Sequence, residues 1–395
     1  MRESDKEEKT GMKLDGTIDR RAVYDDFEYT AAGETAEENE GFFSPFTFLC
    51  FILVLTLFGL LSLFSASYDA ALREGGTFYS LFLYQILGLV LGGVVGLGMC
   101  FMPVGVLRRS WFVLLPLYIV LASLLAFEKG IMYSDSFIQT TGLIGTVSAV
   151  FSLSDLVPRI IRKEKGGLRL IVLSLGLVIT LVSQALLCGS GWYILTCLVI
   201  VSSLLSMKTK RSYTLYFIIC MVLLLVILTV SSPVLLENFT DTLFTGNTTT
   251  EVYLSECAIR EGGMTGTGIG NGLYKLGIIQ NAEGEYIFAT ISEETGIIGL
   301  VVILFSSVMI MIIGYRSSSR ALRRDDMFVS SFTLTSVTMI VFSLFVNMLY
   351  VSGLSPFDGV PLLLFSYSPV NEGITTVMVV LLFKFIFRTG RTVGK

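Results

Sequence analysis

A glycine-rich run and three of the acidic residues that follow it have residue types and a spacing that could support chemistry. The run reads GGMTGTGIGNG over residues 262–272, and Glu285, Glu293 and Glu294 come after it. Its alternating glycines do not give the G-x-G-x-x-G spacing of a dinucleotide-binding turn, and no Gly-Lys pair follows them as in a P-loop. The run therefore predicts a tight, irregular loop whose backbone can approach a ligand closely.

The absence of histidine limits the chemistry that the chain can perform. The sequence contains none, which excludes Ser-His and Cys-His catalysis and every metal site that depends on histidine ligands. Proton transfer must then use Asp, Glu, Lys, Tyr or Cys. The six cysteines form no C-x-x-C pair, so the sequence predicts no disulfide framework.

The composition is that of an all-α polytopic membrane protein. Hydrophobic residues make up 53% of the chain and charged residues 15%, whereas soluble domains carry about 25% charged residues. Apolar runs of about 20 residues are typical of membrane-spanning helices. The predicted spans, ten in number, lie near residues 44–66, 78–102, 111–127, 138–157, 168–187, 191–206, 213–232, 287–315, 328–352 and 369–387.

The positions of Lys and Arg predict the orientation of these spans. With a cytoplasmic N-terminus, the inner connecting loops carry most of the basic residues, as the positive-inside rule requires. Both termini are then cytoplasmic, and residues 233–286 form one long extracytoplasmic loop between the seventh and eighth spans. Residues 1–43 are acidic and poor in apolar side chains, which predicts a disordered tail ahead of a membrane domain at 44–387. Residues 388–395 are predicted to be a short basic tail.

Two long stretches carry a resemblance to a known family. Residues 258–300 read AIREGGMTGTGIGNGLYKLGIIQNAEGEYIFATISEETGIIGL, and residues 347–367 read NMLYVSGLSPFDGVPLLLFSY. Both resemble outer loops of the SEDS family of bacterial membrane proteins (shape, elongation, division and sporulation), which includes FtsW, RodA and SpoVE. The segment SASYDAAL (65–72) and Gln139 also match that family, and the resemblance extends over all ten spans in order.

The resemblance implies a function in building the bacterial cell wall. Members of the family are peptidoglycan glycosyltransferases, which join lipid II units into glycan strands at the outer face of the cytoplasmic membrane. They work with a class B penicillin-binding protein, a single-span transpeptidase, in division, cell-shape maintenance or sporulation. No nucleic-acid partner is implied. Glu285 stands where the family has its candidate catalytic Asp, so it is the expected base for the acceptor hydroxyl.

The same resemblance implies a set of substrate-binding residues. Backbone N–H groups of the glycine run could meet a sugar or pyrophosphate oxygen. Glu293 and Glu294 could line the substrate groove or bind a divalent cation, and an equally weighted alternative gives them a capping and interfacial role; no other cofactor is implied. The full set of candidates is Gly266, Gly268, Gly270, Asn271, Gln139, Lys129, Glu293, Glu294, Ser366 and Tyr367.

Departures from the family pattern leave two alternatives to catalysis. The segment EKGIMYSDSFIQTTG (128–142) lacks the family's arginines and Glu, and QALLCGSG (184–191) lacks its Asp. Such losses remove charges that a pyrophosphate substrate would favour. One alternative is a catalytically degenerate homologue that scaffolds cell-wall enzymes, and the other is a lipid II transporter, which would need broken helices and a polar path.

Overall fold

The computed structural model of the protein describes residues 45–73, 77, 79–127, 135–163, 167–207, 249–355 and 357–390. Within these residues the chain forms helices and loops and no strand, which confirms the predicted all-α class. The helices are α1 Pro45–Arg73, α2 Ser80–Cys100, α3 Val104–Leu107, α4 Trp111–Phe127, α5 Asp135–Ile161, α6 Gly167–Ser183, a π-helical turn at Gln184–Cys188, α7 Ser190–Ser206, α8 Thr250–Gly262, α9 Ile287–Arg323, α10 Met327–Val351 and α11 Pro369–Gly390.

Apolar runs determine where these helices form. In a bilayer only a helix or a closed barrel satisfies every backbone polar group, so a long apolar run folds as a helix. Eight helical segments of the described chain are long and apolar enough to cross a membrane, and α7 is a shorter apolar helix. Nine of the ten predicted spans coincide with these helices. The remaining one, 213–232, lies outside the described residues, so the count of ten and the orientation stay predictions.

Glycines allow α2 and α11 to pack very closely. A Cβ atom on Gly88 would lie 2.2 Å from the carbonyl oxygen of Pro369, and one on Gly92 would lie 2.3 Å from that of Gly373. Small residues at such positions let helix backbones approach each other in a membrane protein. The first turn of α11 is thereby fixed against the middle of α2.

The helix α9 is interrupted at Gly296. This residue has φ +60° and ψ −151°, so the helix consists of two parts on either side of it. The N–H of Ile297 donates to the carbonyl oxygen of Gly263 at 3.1 Å, which replaces the helical bond lost at the break. A positive φ of this kind strains residues that carry a Cβ and suits glycine. The break therefore docks the glycine-rich run onto α9.

Part of the predicted long loop is in fact helical. Residues 233–286 were expected to form a loop, yet α8 occupies Thr250–Gly262. The Thr249 hydroxyl accepts a hydrogen bond from the N–H of Val252, which is an N-cap arrangement. An N-capping Thr, a first-turn Glu and a terminal Gly-Gly pair were present in the sequence as signals for this helix.

The two predicted tails differ in what the structure describes. Residues 1–43 lie outside the described residues. Residues 388–390, predicted to begin the basic tail, instead form the last residues of α11, and residues 391–395 lie outside the described part of the chain. The helix therefore extends three residues past the predicted end of the membrane domain at 387, because the apolar run ends before the helix does.

Candidate active site

The carboxylate of Glu285 is held by a chain of hydrogen bonds from two other helices. The side-chain amide of Gln139, on α5, donates through Nε2 to Glu285 Oε1. The indole Nε1–H of Trp192, on α7, donates to Gln139 Oε1 at 2.7 Å. Glu285 is half-buried, and Gln139 supplies hydrogen bonding without a formal charge. The two hydrogen bonds fix the orientation of the Glu285 carboxylate. Because Gln139 is neutral, it does not compensate the charge of that carboxylate.

The backbone of Glu285 is fixed separately, by α10. The Asn347 side-chain amide donates to the carbonyl oxygen of Glu285 at 2.9 Å and to that of Val360 at 2.7 Å. The hydroxyl groups of Tyr286 and Tyr350 lie 3.0 Å apart. Burial raises the pKa of the Tyr286 hydroxyl, so this group stays protonated at neutral pH. Glu285 is thus positioned at both its backbone and its side chain.

The loop between α10 and α11 meets the segment that carries Glu285. The N–H of Tyr367 donates to the carbonyl oxygen of Glu283 at 2.7 Å, which places the half-buried Tyr367 beside this segment. Ser366 is buried, and its hydroxyl oxygen accepts a hydrogen bond from the N–H of Leu362 at 2.8 Å. Of these two candidates, Ser366 holds its own loop in shape, and substrate contact by the half-buried Tyr367 stays a prediction.

Glu294 is engaged in a buried ion pair. Its Oε1 accepts hydrogen bonds from the Lys275 ammonium and from the Ser65 hydroxyl, the latter at 2.6 Å. The side chain of Lys275 is 4% exposed and that of Glu294 is 3% exposed. Lys275 was not among the predicted site residues, although it is one of the few cations in the predicted outer loops. Because Lys275 neutralises Glu294, this carboxylate is not available to a divalent cation.

Glu293 organises the glycine-rich run. Its Oε1 accepts hydrogen bonds from the N–H groups of Leu273 at 2.5 Å and Tyr274 at 3.4 Å. Its carbonyl oxygen accepts one from the N–H of Thr267 at 2.9 Å. Among the residues that the structure describes, no group of three or more His, Cys, Asp and Glu side chains could hold a metal ion. The geometry therefore favours the capping role of Glu293 and Glu294 over a shared cation.

The glycine run packs against α9 through its own backbone. The N–H of Gly266 donates to the carbonyl oxygen of Gly262 at 2.8 Å, and that of Gly268 donates to the carbonyl oxygen of Glu294 at 3.0 Å. A Cβ on Gly266 would lie 2.1 Å from the carbonyl oxygen of Glu294. Both N–H groups are therefore engaged within the protein, and substrate contact at Gly266 and Gly268 stays a prediction. Gly270 and Asn271 are exposed at the tip of the run, so substrate contact there stays a prediction.

The predicted residues thus fall into two groups. Glu285 and Gln139 are in direct contact, whereas Glu293 and Glu294 contact the glycine run. Lys129 lies outside the described residues. Trp192 and Asn347 are functional contacts that the sequence analysis did not select, because apolar spans give no sign of which polar side chain faces which helix.

Comparisons with known proteins show which family the chain resembles. The family model for FtsW, RodA and SpoVE, described as a cell cycle protein, matches residues 46–389. A probable peptidoglycan glycosyltransferase FtsW from Bacillus subtilis is 33% identical over 117 residues, which are 30% of this chain and 28% of the relative. A probable FtsW from Buchnera aphidicola is 27% identical over 225 residues, which are 55% of this chain and 57% of the relative. The chain is therefore aligned with less than two thirds of these curated relatives' length.

Solved structures share the fold. A chain from a peptidoglycan synthase complex, studied for its coordination of polymerization and crosslinking, superposes with a TM-score of 0.61 at 15% identity, over 87% of this chain and 98% of that chain. The rod shape determining protein RodA of Thermus thermophilus gives a TM-score of 0.52 at 16% identity, over 88% of this chain and 97% of that chain. Together with the match over nearly the whole membrane domain, these likenesses show that the chain belongs to the FtsW/RodA/SpoVE family.

Proposed function

We propose that this protein is a peptidoglycan glycosyltransferase that polymerises lipid II at the outer face of the bacterial cytoplasmic membrane. The observation that carries the proposal is the carboxylate of Glu285, held by Gln139 and Trp192 at the family's candidate acidic position. Family membership and the names of the relatives support the reaction class. Eight apolar helices and the family support a multi-pass membrane location.

The reaction needs one well-placed base. An acceptor sugar hydroxyl attacks the anomeric carbon of the donor sugar, and Glu285 accepts the hydroxyl proton as the new glycosidic bond forms. The bond from that carbon to the pyrophosphate oxygen breaks, and undecaprenyl pyrophosphate leaves with the bonding electrons. The amide of Gln139 and the backbone contact from Asn347 hold Glu285 in place, which limits the entropy lost in reaching the transition state.

Substrate contacts are proposed at Tyr367 and at the exposed tip of the glycine run. Tyr367 lies beside Glu283, and Gly270 and Asn271 form the exposed tip of the glycine run. Lys129 is the cation proposed to face the pyrophosphate, since the family's arginines are missing from residues 128–142. A single ammonium acts as a point charge on a phosphate, without the paired geometry of a guanidinium.

The proposed partner is a class B penicillin-binding protein. An apolar cavity of about 260 Å³ opens between α8, α9 and α10, and Ile297, Met348 and Leu354 are among its lining residues. Such an exposed apolar surface suits the membrane helix of a single-span protein. The test is co-purification with the transpeptidase in mild detergent. We expect Ile297→Arg to reduce recovery of the partner, and unchanged recovery would contradict this surface.

Each alternative function has one observation in its favour. The missing arginines in residues 128–142 favour a scaffold without catalysis. The break in α9 at Gly296 favours a transporter, since transporters use interrupted helices at their substrate sites. At this break, however, the N–H of Ile297 bonds to Gly263 of the glycine run. We therefore rank polymerisation first, and a lipid II polymerisation assay with Glu285 variants tests it.

A further inference from the structure

A buried carboxylate at the start of α11 has no charged partner among the residues that the structure describes. Glu372 is 4% exposed, and its Oε1 has no hydrogen bond within the described residues. Its Oε2 accepts a hydrogen bond from the side-chain amide of Gln85 at 3.4 Å, which is a neutral group. Glu294, by contrast, is paired with Lys275. Burying an ionised carboxylate is unfavourable unless a charge compensates it.

A second buried side chain beside Glu372 is also unsatisfied. Asn371 is 4% exposed, and neither its Oδ1 nor its Nδ2 has a hydrogen-bond partner among the described residues. Buried side-chain amides in folded proteins are hydrogen-bonded in the large majority of cases. Asn371 and Glu372 therefore each have a buried oxygen atom without a hydrogen-bond partner in the described chain, which points to a small ligand that both residues bind.

These side chains line a small cavity. It has a volume of about 10 Å³ and is lined by Asn371, Glu372, Thr375, Ser366 and Ser368, together with residues 361–364. This volume is close to the minimum that holds one water-sized occupant. Its polar boundary consists of carboxylate, amide, hydroxyl and backbone groups.

The backbone next to the cavity has an irregular conformation. Leu364 has φ +72°, which is uncommon for a residue with a Cβ. The loop is held by hydrogen bonds from the N–H of Phe365 to the carbonyl oxygen of Leu362 and from the N–H of Leu362 to the Ser366 hydroxyl. Its packing against α1 is tight, because a Cβ on Gly59 would lie 2.1 Å from the Leu364 carbonyl oxygen. Non-helical backbone within a membrane domain is tolerated where it is buried in protein or lines a cavity.

We propose that this cavity binds one sodium ion, with Glu372 as the charged ligand. Asn371 Oδ1 and the hydroxyl groups of Ser366 and Thr375 are the neutral oxygen ligands available at the cavity. Oxygen ligands suit hard cations. One carboxylate balances a monovalent ion, and the space is too small for a magnesium ion that keeps several waters.

The bound ion would join three parts of the fold. Glu372 belongs to α11, its neighbour Gln85 belongs to α2, and Ser366 belongs to the loop between α10 and α11. Gln85 also donates to the carbonyl oxygen of Ser366 at 3.1 Å and accepts from the N–H of Ser368 at 3.1 Å. Sodium is therefore expected to stabilise the native protein by binding it in preference to the unfolded chain.

The test is thermal unfolding of the full-length chain, purified in detergent, with sodium chloride replaced by choline chloride at constant ionic strength. We expect sodium at about ten times its dissociation constant, which stabilises the native state by roughly 1.4 kcal/mol, to raise the Tm of this 395-residue chain by about 1–2 °C. Glu372→Gln keeps the shape and removes the charge, so its Tm should not respond to sodium. Glu256→Gln, on α8 and partly exposed, is the matched control and should keep the full response.

Direct binding of radioactive sodium distinguishes an ion from a bound water or proton. We expect close to one sodium bound per wild-type chain and none in Glu372→Gln. If Glu372→Gln does not fold, Asn371→Ala takes its place and should raise the half-saturating sodium concentration about tenfold, the loss of one oxygen ligand. Equal Tm values in sodium and choline, or unchanged sodium binding by the variants, would overturn the proposal.

Discussion

The amide of Gln139 donates a hydrogen bond to the carboxylate of Glu285 across 146 residues of sequence. This contact joins α5 to the segment that precedes α9. Trp192 on α7 orients the amide in turn, since its indole N–H donates to Gln139 Oε1 at 2.7 Å. Hydrogen bonds thus link three separate parts of the chain, and the last of these bonds fixes the carboxylate of Glu285.

Removing the indole hydrogen bond should weaken this positioning. We expect Trp192→Phe to reduce the polymerisation rate about three- to tenfold, because the loss of one hydrogen bond costs roughly 1 kcal/mol. The apparent affinity for lipid II should change little if Trp192 acts through Gln139 and touches no substrate. Polymer length and initial rate on lipid II, measured with the transpeptidase present, check this prediction.

Trp111 provides the matched control for Trp192. It is also buried, but its Nε1 has no hydrogen-bond partner within the described chain. Trp111→Phe should therefore leave the polymerisation rate close to that of the parent protein. Equal losses in the two variants would show that aromatic packing accounts for the effect.

Replacing one residue of the buried Lys275–Glu294 pair should lower the Tm far more than replacing both residues together. Lys275→Met leaves a buried carboxylate without its cation, which typically costs about 3–5 kcal/mol of stability. Combining it with Glu294→Gln removes both charges and should restore much of the Tm. Thermal unfolding in detergent measures both variants.

The exposed pair of Arg260 and Glu256 is the control for this comparison. Its nitrogen and oxygen atoms lie 3.4 Å apart, and Arg260 is largely exposed. Surface pairs contribute about 0–1 kcal/mol, so Arg260→Met should change the Tm only slightly. A large loss for Arg260→Met, or a double variant no more stable than Lys275→Met, would contradict the buried-pair account.

Replacing Gly266 or Gly270 of the glycine run by alanine should lower the Tm by different amounts. A Cβ on Gly266 would lie 2.1 Å from the carbonyl oxygen of Glu294, whereas a Cβ on Gly270 would meet no atom within 4 Å. Both have positive φ, which costs a residue with a Cβ about 1–2 kcal/mol. Gly266→Ala should therefore lower the Tm well beyond Gly270→Ala, and similar Tm values would contradict the docking of the run on α9.

The sequence predicted the membrane helices well because hydropathy depends on local composition. Nine predicted spans coincide with helices, although α8 was missed despite its N-capping Thr249 and terminal glycines. The break at Gly296 was not predicted, since a lone glycine in an apolar run gives no sign of a positive φ.

The contacts of the site were harder to predict than its residues. Glu285 and Gln139 were selected by family resemblance, but their hydrogen bond depends on how α5 packs against its neighbours α7 and α10. The Lys275 ammonium reaches Ser65, which is 210 residues away in sequence. Pairings over such distances are set by tertiary packing, about which local periodicity carries no information.

The central claim is that Glu285 acts as the base for glycan polymerisation, and the direct measurement is polymer formation from lipid II by the full chain with its transpeptidase. The parent protein should form glycan strands, Glu285→Gln should form none above background, and Glu285→Asp should keep part of the activity because it retains a carboxylate. Gln139→Glu would place a second carboxyl group against Glu285 and should also lower the rate. Strand formation by Glu285→Gln at the parent rate would contradict the account.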